Sequence, residues 1–139
     1  LLDGLDIESC IQKDPSSGLY VLGSHENRVE TRNPLTEDRI GRLFDELRSR
    51  YDIVIVDTAP ILGVAEGRVL ATAADRVLVI TKWKRTSMRA VEAAIAMLID
   101  AKAKVTGLAL SQVNIKQYAS TGDGDVYAYT KKFRGYYQN

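Results

Sequence analysis

The sequence predicts an α/β protein in which helices flank a parallel β-sheet. Three observations carry that class. Residues 53–56 read Ile-Val-Ile-Val, β-branched throughout and without polar alternation, as a strand covered on both faces requires. Val77-Leu78-Val79-Ile80 and Leu108-Ala109-Leu110 repeat the pattern. Between these two, Met88, Val91, Ile95, Leu98 and Ile99 recur at helical spacing, so strands and helices alternate as in right-handed βαβ units.

Taken in order, residues 1–12 predict a short amphipathic helix running into a turn at Lys13-Asp14-Pro15-Ser16-Ser17-Gly18. Leu19-Tyr20-Val21-Leu22 reads as a short buried strand. Residues 24–32 are polar and aperiodic, hence a loop, and Asn33-Pro34 supplies an N-cap followed by proline at the first helical position. Ile40, Leu43, Phe44 and Leu47 then predict a helix to about Arg50. The strand at 53–56, the strand from Val77, a helix over about 86–102 and the strand at 108–110 complete the sheet region. After Asn114 the apolar periodicity stops. The chain therefore divides into an α/β domain over residues 1–114 and a flexible, tyrosine-rich tail over 115–139.

The chain has 139 residues, enough to bury a core, and its 45% hydrophobic content is ordinary for a globular domain. With 19 basic and 18 acidic side chains the net charge is +1, which gives no global field to attract nucleic acid, and none is expected as a partner. Cys10 stands alone, excluding an internal disulfide and fitting a reducing compartment. His25, the one histidine, sits in the polar loop, and no Cys/His cluster suggests a transition metal. No apolar stretch is long enough to span a bilayer, and the N-terminus has neither a signal-peptide pattern nor an initiator Met, so the chain reads as an excised fragment.

Two features carry chemistry. Asp57 directly follows the apolar run at 53–56, and open α/β sheets bind ligands at the carboxyl ends of their strands. A carboxylate there suits the Mg²⁺ of a bound nucleotide, although an aspartate ending a strand is often only a cap for the next turn. Five of the seven tyrosines lie in the last 22 residues: Tyr118, Tyr127, Tyr129, Tyr136 and Tyr137. They stand among Gly, Asp, Lys and Gln, where nothing suggests burial. Such a cluster reads as a sticky aromatic tail, as stacking platforms, or as acceptors for a tyrosine kinase, each phosphate adding about −1.5 to −2 charge.

The string Tyr-Asp-Ile-Val-Ile-Val-Asp-Thr-Ala-Pro over residues 51–60, followed by Asp75, Thr86, Gly107 and the tyrosine tail, resembles the bacterial tyrosine kinases of exopolysaccharide and capsule synthesis, the partners or domains of polysaccharide co-polymerases. Asn33-Pro34 and the basic loop Lys82-Trp83-Lys84-Arg85-Thr86 are similar to family features as well. The resemblance implies a P-loop NTPase-like fold of the MinD and ParA type, with ATP and Mg²⁺ as cofactors. It implies Asp57 as the Walker B carboxylate, Tyr127, Tyr129, Tyr136 and Tyr137 as phosphoacceptors with Tyr118 a weaker one, and Ser111, Gln112 and Asn114 near the nucleotide base. Partners implied are neighbouring kinase subunits in a ring, a membrane co-polymerase segment in the same or another chain, and a tyrosine phosphatase. The place implied is the cytoplasmic side of the bacterial inner membrane.

Two residues depart from the family pattern: Ala59 precedes Pro60 where a proline is usual, and Ser111 stands where an Asn is frequent. No Gly-x-x-x-x-Gly-Lys-Ser/Thr occurs in the sequence, so the phosphate-cradling Walker A part, and Walker A-prime with it, are expected to be missing. Without the strand that precedes that loop, apolar strands would keep unpaired backbone groups at about 1–3 kcal/mol each if buried, so the chain is expected to be marginal alone and inactive. An ATPase of the MinD or ParA type, or a non-catalytic interaction module, are the alternatives.

Overall fold

A computed structural model describes residues 7–23 and 36–119, which fall into two compact units, Leu1–Asp57 and Thr58–Asn139. Unit 1 opens with helix α1 (Ile7–Cys10), strand β1 (Ile11–Lys13) and strand β2 (Tyr20–Leu22), and closes with helix α2 (Glu37–Arg50). β1 and β2 pair antiparallel, Ile11 opposite Leu22 and Lys13 opposite Tyr20. The turn between them is built by Asp14. Its carboxylate accepts the Ser17 hydroxyl, the Ser17 amide at 3.0 Å and the Ser16 amide at 3.3 Å, while Gly18 takes the left-handed φ of 75° that suits a residue without Cβ.

Helix α2 forms where the periodicity places it and buries Ile40, Phe44 and Leu47. Glu37 and Asp38 lie in its first turn and Arg48 and Arg50 in its last, complementing the helix dipole at both ends. Its N-cap position is Thr36, not Asn33; Asn33, Pro34 and the whole of the predicted 24–32 loop lie outside the described residues. Two further expectations change in this unit. Ile11 and Gln12 belong to β1 instead of extending the helix, because they pair with Leu22 and Val21. β2 is exposed at Tyr20 and Val21, since a two-stranded hairpin has no second layer over it.

The larger correction concerns residues 53–56. They form no strand among the described residues, and Ile53 and Ile55 are 81% and 89% exposed. The composition is that of a central strand, yet composition cannot bury a strand. That takes neighbouring strands to accept its backbone and helices to cover its faces, and no backbone hydrogen bond between described residues engages 53–56.

Unit 2 holds helix α3 (Glu66–Ala73), strand β3 (Val77–Lys82), helix α4 (Met88–Asp100), strand β4 (Val105–Ser111) and helix α5 (Ile115–Ala119). β3 and β4 pair in parallel with α4 as their crossover, the βαβ unit expected. The pairing sets Leu78 opposite Gly107 and Ile80 opposite Ala109, large against small. α4 is capped by the Ser87 hydroxyl, which accepts from the Ala90 amide at 3.2 Å, and it buries Val91, Ala94 and Leu98. Met88 and Ile99, read from spacing as part of that face, are exposed, and Ala94 takes the core position instead. Leu78, Ile80, Leu108 and Leu110 are each half or more exposed, so the two-faced cover expected of a parallel sheet is not present over these two strands.

Candidate functional site at the carboxyl ends of β3 and β4

Polar and aromatic side chains gather where the two parallel strands end. The Ser111 hydroxyl donates to the Thr81 carbonyl at 2.9 Å, and the Trp83 amide donates to the Ser111 carbonyl at 3.0 Å. Beyond β3 the chain reverses within one turn. The Arg85 and Thr86 amides both donate to the Lys82 carbonyl, at 3.2 and 3.0 Å, and the Thr86 hydroxyl accepts the Lys82 amide at 3.0 Å. Lys84 sits inside that turn at φ 55°, and Gln112, directly after β4, also has φ 55°. Left-handed conformations of non-glycine residues cost about 1–3 kcal/mol and collect at functional sites.

The turn returns the Lys84 ammonium over the Trp83 indole, Nζ lying 4.5 Å from the ring centroid. The ring of Tyr118, on α5, meets the same indole edge-on, with centroids 6.4 Å apart and planes at 65°. α5 starts on a cap: Asn114 Oδ1 accepts the Gln117 amide at 3.2 Å and the Asn114 carbonyl accepts the Tyr118 amide at 2.9 Å.

The residues singled out from the sequence therefore fall in different places. Ser111, Gln112, Asn114 and Tyr118 come together at this edge; Ser111 ties the strands and Asn114 caps α5, while Gln112 is exposed. Tyr118 differs from the expected free tail, being half-buried in a helix that continues the described structure five residues past Asn114. Asp57 closes unit 1 as an exposed residue after the apolar run at 53–56. Tyr127, Tyr129, Tyr136 and Tyr137 lie outside the described residues. The contribution of Trp83 went unread: a lone tryptophan inside a basic run following a strand is its only sequence signal.

Unit 1 carries a groove of about 860 Å³ lined by Ile11, Lys13, Tyr20, Tyr51, Asp52 and Ile53, with Glu8 and Arg50 beside them. Its principal cation is occupied, since Arg50 binds Glu8 at 3.0 Å and Glu46 at 2.7 Å. None of the predicted site residues lines it, and the strand ends of unit 2 are the better candidate on chemistry. Among the described residues no group of three acidic, His or Cys side chains is placed to hold a metal, and no helix is long and apolar enough to cross a membrane.

Residues 1–110 match the AAA domain family. Curated relatives are named as bacterial tyrosine-protein kinases and a succinoglycan biosynthesis transport protein. The tyrosine-protein kinase ptk of Acinetobacter johnsonii is 28% identical over 81% of this chain and 16% of its own length. The succinoglycan biosynthesis transport protein ExoP of Rhizobium meliloti is 25% identical over 91% of this chain and 17% of its own length. The crystal structure of the VpsO kinase domain superposes with a TM-score of 0.65 at 25% identity, covering 81% of this chain and 56% of that one. The chain spans 15% to 17% of the length of four curated relatives it matches.

Proposed function

The chain belongs to the AAA domain family, a P-loop NTPase-like α/β fold, and from that premise we propose that it is the C-terminal part of an ATP-dependent protein-tyrosine autokinase acting in exopolysaccharide export. The observation that carries the reading is the carboxylate of Asp57, exposed after an apolar run of strand composition in a chain whose relatives are tyrosine kinases. Mg²⁺ keeps several waters and needs one or two carboxylates plus phosphate oxygens, so a single accessible aspartate fits it better than an all-protein cage would. Asp57 would hold the ion directly or through water, and the bound ion supplies charge neutralisation at the phosphates.

The acceptors are Tyr127, Tyr129, Tyr136 and Tyr137, with Tyr118 secondary. A tail phenol oxygen forms the new bond to the γ-phosphorus as the bridge to ADP breaks. The roughly 20 residues that follow α5, at roughly 3.3 Å each when extended, could reach a neighbouring subunit's site, which is how a ring of kinases on the cytoplasmic face of the inner membrane would phosphorylate one another. Accumulated phosphate would then drive the tails apart, and a phosphatase would reset them. No Gly-x-x-x-x-Gly-Lys-Ser/Thr is present in these 139 residues, so the phosphate-binding lysine and amides are not theirs, and alone they turn over no ATP.

The test is mass spectrometry of the tail from the full-length kinase, with and without Asp57→Asn. Phosphotyrosine that disappears in the variant supports the reading. ATP hydrolysis without phosphotyrosine would instead favour a MinD- or ParA-type ATPase, and neither activity a regulatory module.

A further inference from the structure

From Arg76 to Val91 the chain holds Arg76, Lys82, Lys84, Arg85 and Arg89 and no acidic residue. Lys82, Lys84, Arg85 and Arg89 are exposed, and among the described residues none of the four makes an ion pair. The tight turn at the end of β3 crowds the first three together, and the Lys84 ammonium is kept 4.5 Å from the Trp83 ring centroid. Like charges so close repel one another. α4 then opens with Arg89 and no acid in its first turn, which the helix dipole disfavours. The packing of β3 and α4 does not call for this arrangement. A ligand carrying several negative charges does.

Such a ligand lies further along the same chain. The Tyr118 ring meets Trp83, the neighbour of Lys84, and α5 ends one residue later at Ala119. Residues 120–130, which lie outside the described residues, hold Asp123, Asp125, Tyr127 and Tyr129 and no basic residue, a net charge of −2. Phosphate on both tyrosines would take that segment to about −5 to −6, against +4 on the four cations of the turn. Tyr136 and Tyr137 instead follow Lys131, Lys132 and Arg134. Tyr127 is nine residues past Tyr118, a span of up to about 30 Å, and a ligand tethered so closely meets its site at an effective concentration of about millimolar.

We infer that Lys82, Lys84, Arg85 and Arg89 form the binding site for the phosphorylated side chains of Tyr127 and Tyr129 of the same chain. The inference rests on the reading that these tyrosines are phosphorylated, not on which kinase modifies them. The Arg85 guanidinium suits two phosphate oxygens at once, and the lysines act as point charges. Capture holds a modified tail against its own subunit and withdraws it from its neighbours, until a phosphatase frees it.

The probe is a synthetic peptide of residues 120–130, with or without phosphate on Tyr127 and Tyr129, added to the dephosphorylated full-length protein. The phosphopeptide should bind at least about tenfold more tightly than the plain peptide and lose that advantage in high salt. Lys84→Gln combined with Arg85→Gln should weaken it about tenfold, whereas Lys84→Arg should keep the affinity. Both residues are exposed, so the denaturant midpoint of the double variant should not move. In the phosphorylated full-length protein an added tyrosine phosphatase should clear Tyr127 and Tyr129 more slowly than Tyr136 and Tyr137, and the double variant should abolish the difference. Equal binding of the phosphopeptide to parent and double variant overturns the inference, as does uniform dephosphorylation of the parent. If the double variant binds the phosphopeptide unchanged but loses affinity for phosphatidylglycerol vesicles relative to phosphatidylcholine ones, the turn faces a lipid surface and the inference falls. A tail that never carries phosphotyrosine in the full-length protein defeats the autokinase reading, and the peptide titration still decides whether the site exists.

Discussion

The hydroxyl of Ser111 donates to the backbone carbonyl of Thr81 across 2.9 Å, fastening the ends of β3 and β4 one residue before the loops that carry Trp83 and Gln112. The bond is part-buried, so its loss is not fully replaced by water. Ser111→Ala should therefore destabilise the chain by about 0.5–1.5 kcal/mol in urea titration. It should also loosen the strand ends, visible as faster exchange of the Trp83 amide, which donates to the Ser111 carbonyl. An unchanged Trp83 exchange rate would show that the backbone ladder alone sets this edge.

Adjacent residues of α4 should behave oppositely. Leu98 is 2% exposed and Ile99 is 61% exposed. Leu98→Ala removes buried methyl groups and leaves a cavity, costing about 2–5 kcal/mol. Ile99→Ala gives up contacts with solvent on one side and should stay within about 0.5 kcal/mol of the parent. Denaturant midpoints of the two variants decide whether the observed helix face, which replaces Ile99 by Ala94 in the core, is the one that matters.

On the proposed kinase reading, Asp57→Asn should lower tyrosine phosphorylation by the full-length protein about 10²- to 10³-fold, the scale of losing several kcal/mol of charge stabilisation. The residue is exposed, so the melting temperature should not move. A matched loss of stability and activity would mark Asp57 as a structural cap for the Thr58-Ala59-Pro60 turn.

How far the sequence could be read follows from what each element depends on. α2, α4 and the β3–α4–β4 unit were legible because periodicity and β-branched runs are local signals that the packing here respects, as the buried Val91 and Leu98 show. Residues 53–56 were misjudged because the burial of a strand is a property of its neighbours: the same four residues are a core strand with partners and an exposed run without them. β1 and the exposure of β2 were missed for a related reason, since three-residue strands owe their pairing to the Asp14 turn, whose geometry periodicity does not report. In the site, Ser111 and Gln112 were marked out by the family resemblance alone, and the meeting of Trp83 with Tyr118, 35 positions apart in sequence, depends on α5 folding back and has no local signature.

The β1–β2 turn should be acid-sensitive. The Asp14 carboxyl is held below its ordinary value of 3.8, first by the hydrogen bond from the Ser17 hydroxyl and then by the Ser17 and Ser16 amides, with desolvation opposing weakly. A lowered folded-state value means that the turn's contribution is complete above pH 3.8 and is lost as pH falls through the lowered value. Amide chemical shifts of Ser16 and Ser17 followed through acid titration should move together at a midpoint below that of a free aspartate. In Asp14→Asn the transition should vanish.

Lys102 offers a stabilising change. It follows α4 with φ 59°, and the end of the helix is closed by its amide donating to the Ile99 carbonyl at 2.8 Å and by the Ala103 amide donating to the Leu98 carbonyl at 2.9 Å. A side chain in this left-handed position costs about 1–2 kcal/mol, which is why glycine is usual after a helix. Lys102→Gly relieves that strain, but it also gives the unfolded chain more freedom, worth about 0.4–1 kcal/mol in the other direction. The net gain should be about 0.5–1 kcal/mol. Lys102→Ala keeps the strain and removes only the charge near the negative end of the helix dipole, so it should be neutral or slightly destabilising. Lys102→Pro cannot reach a positive φ and lacks the amide that binds Ile99, so it should be the most damaging of the three. The order Gly above Lys, Lys at or above Ala, and Pro last in urea midpoints would tie the effect to backbone conformation; a gain in Ala equal to that in Gly would assign it to charge.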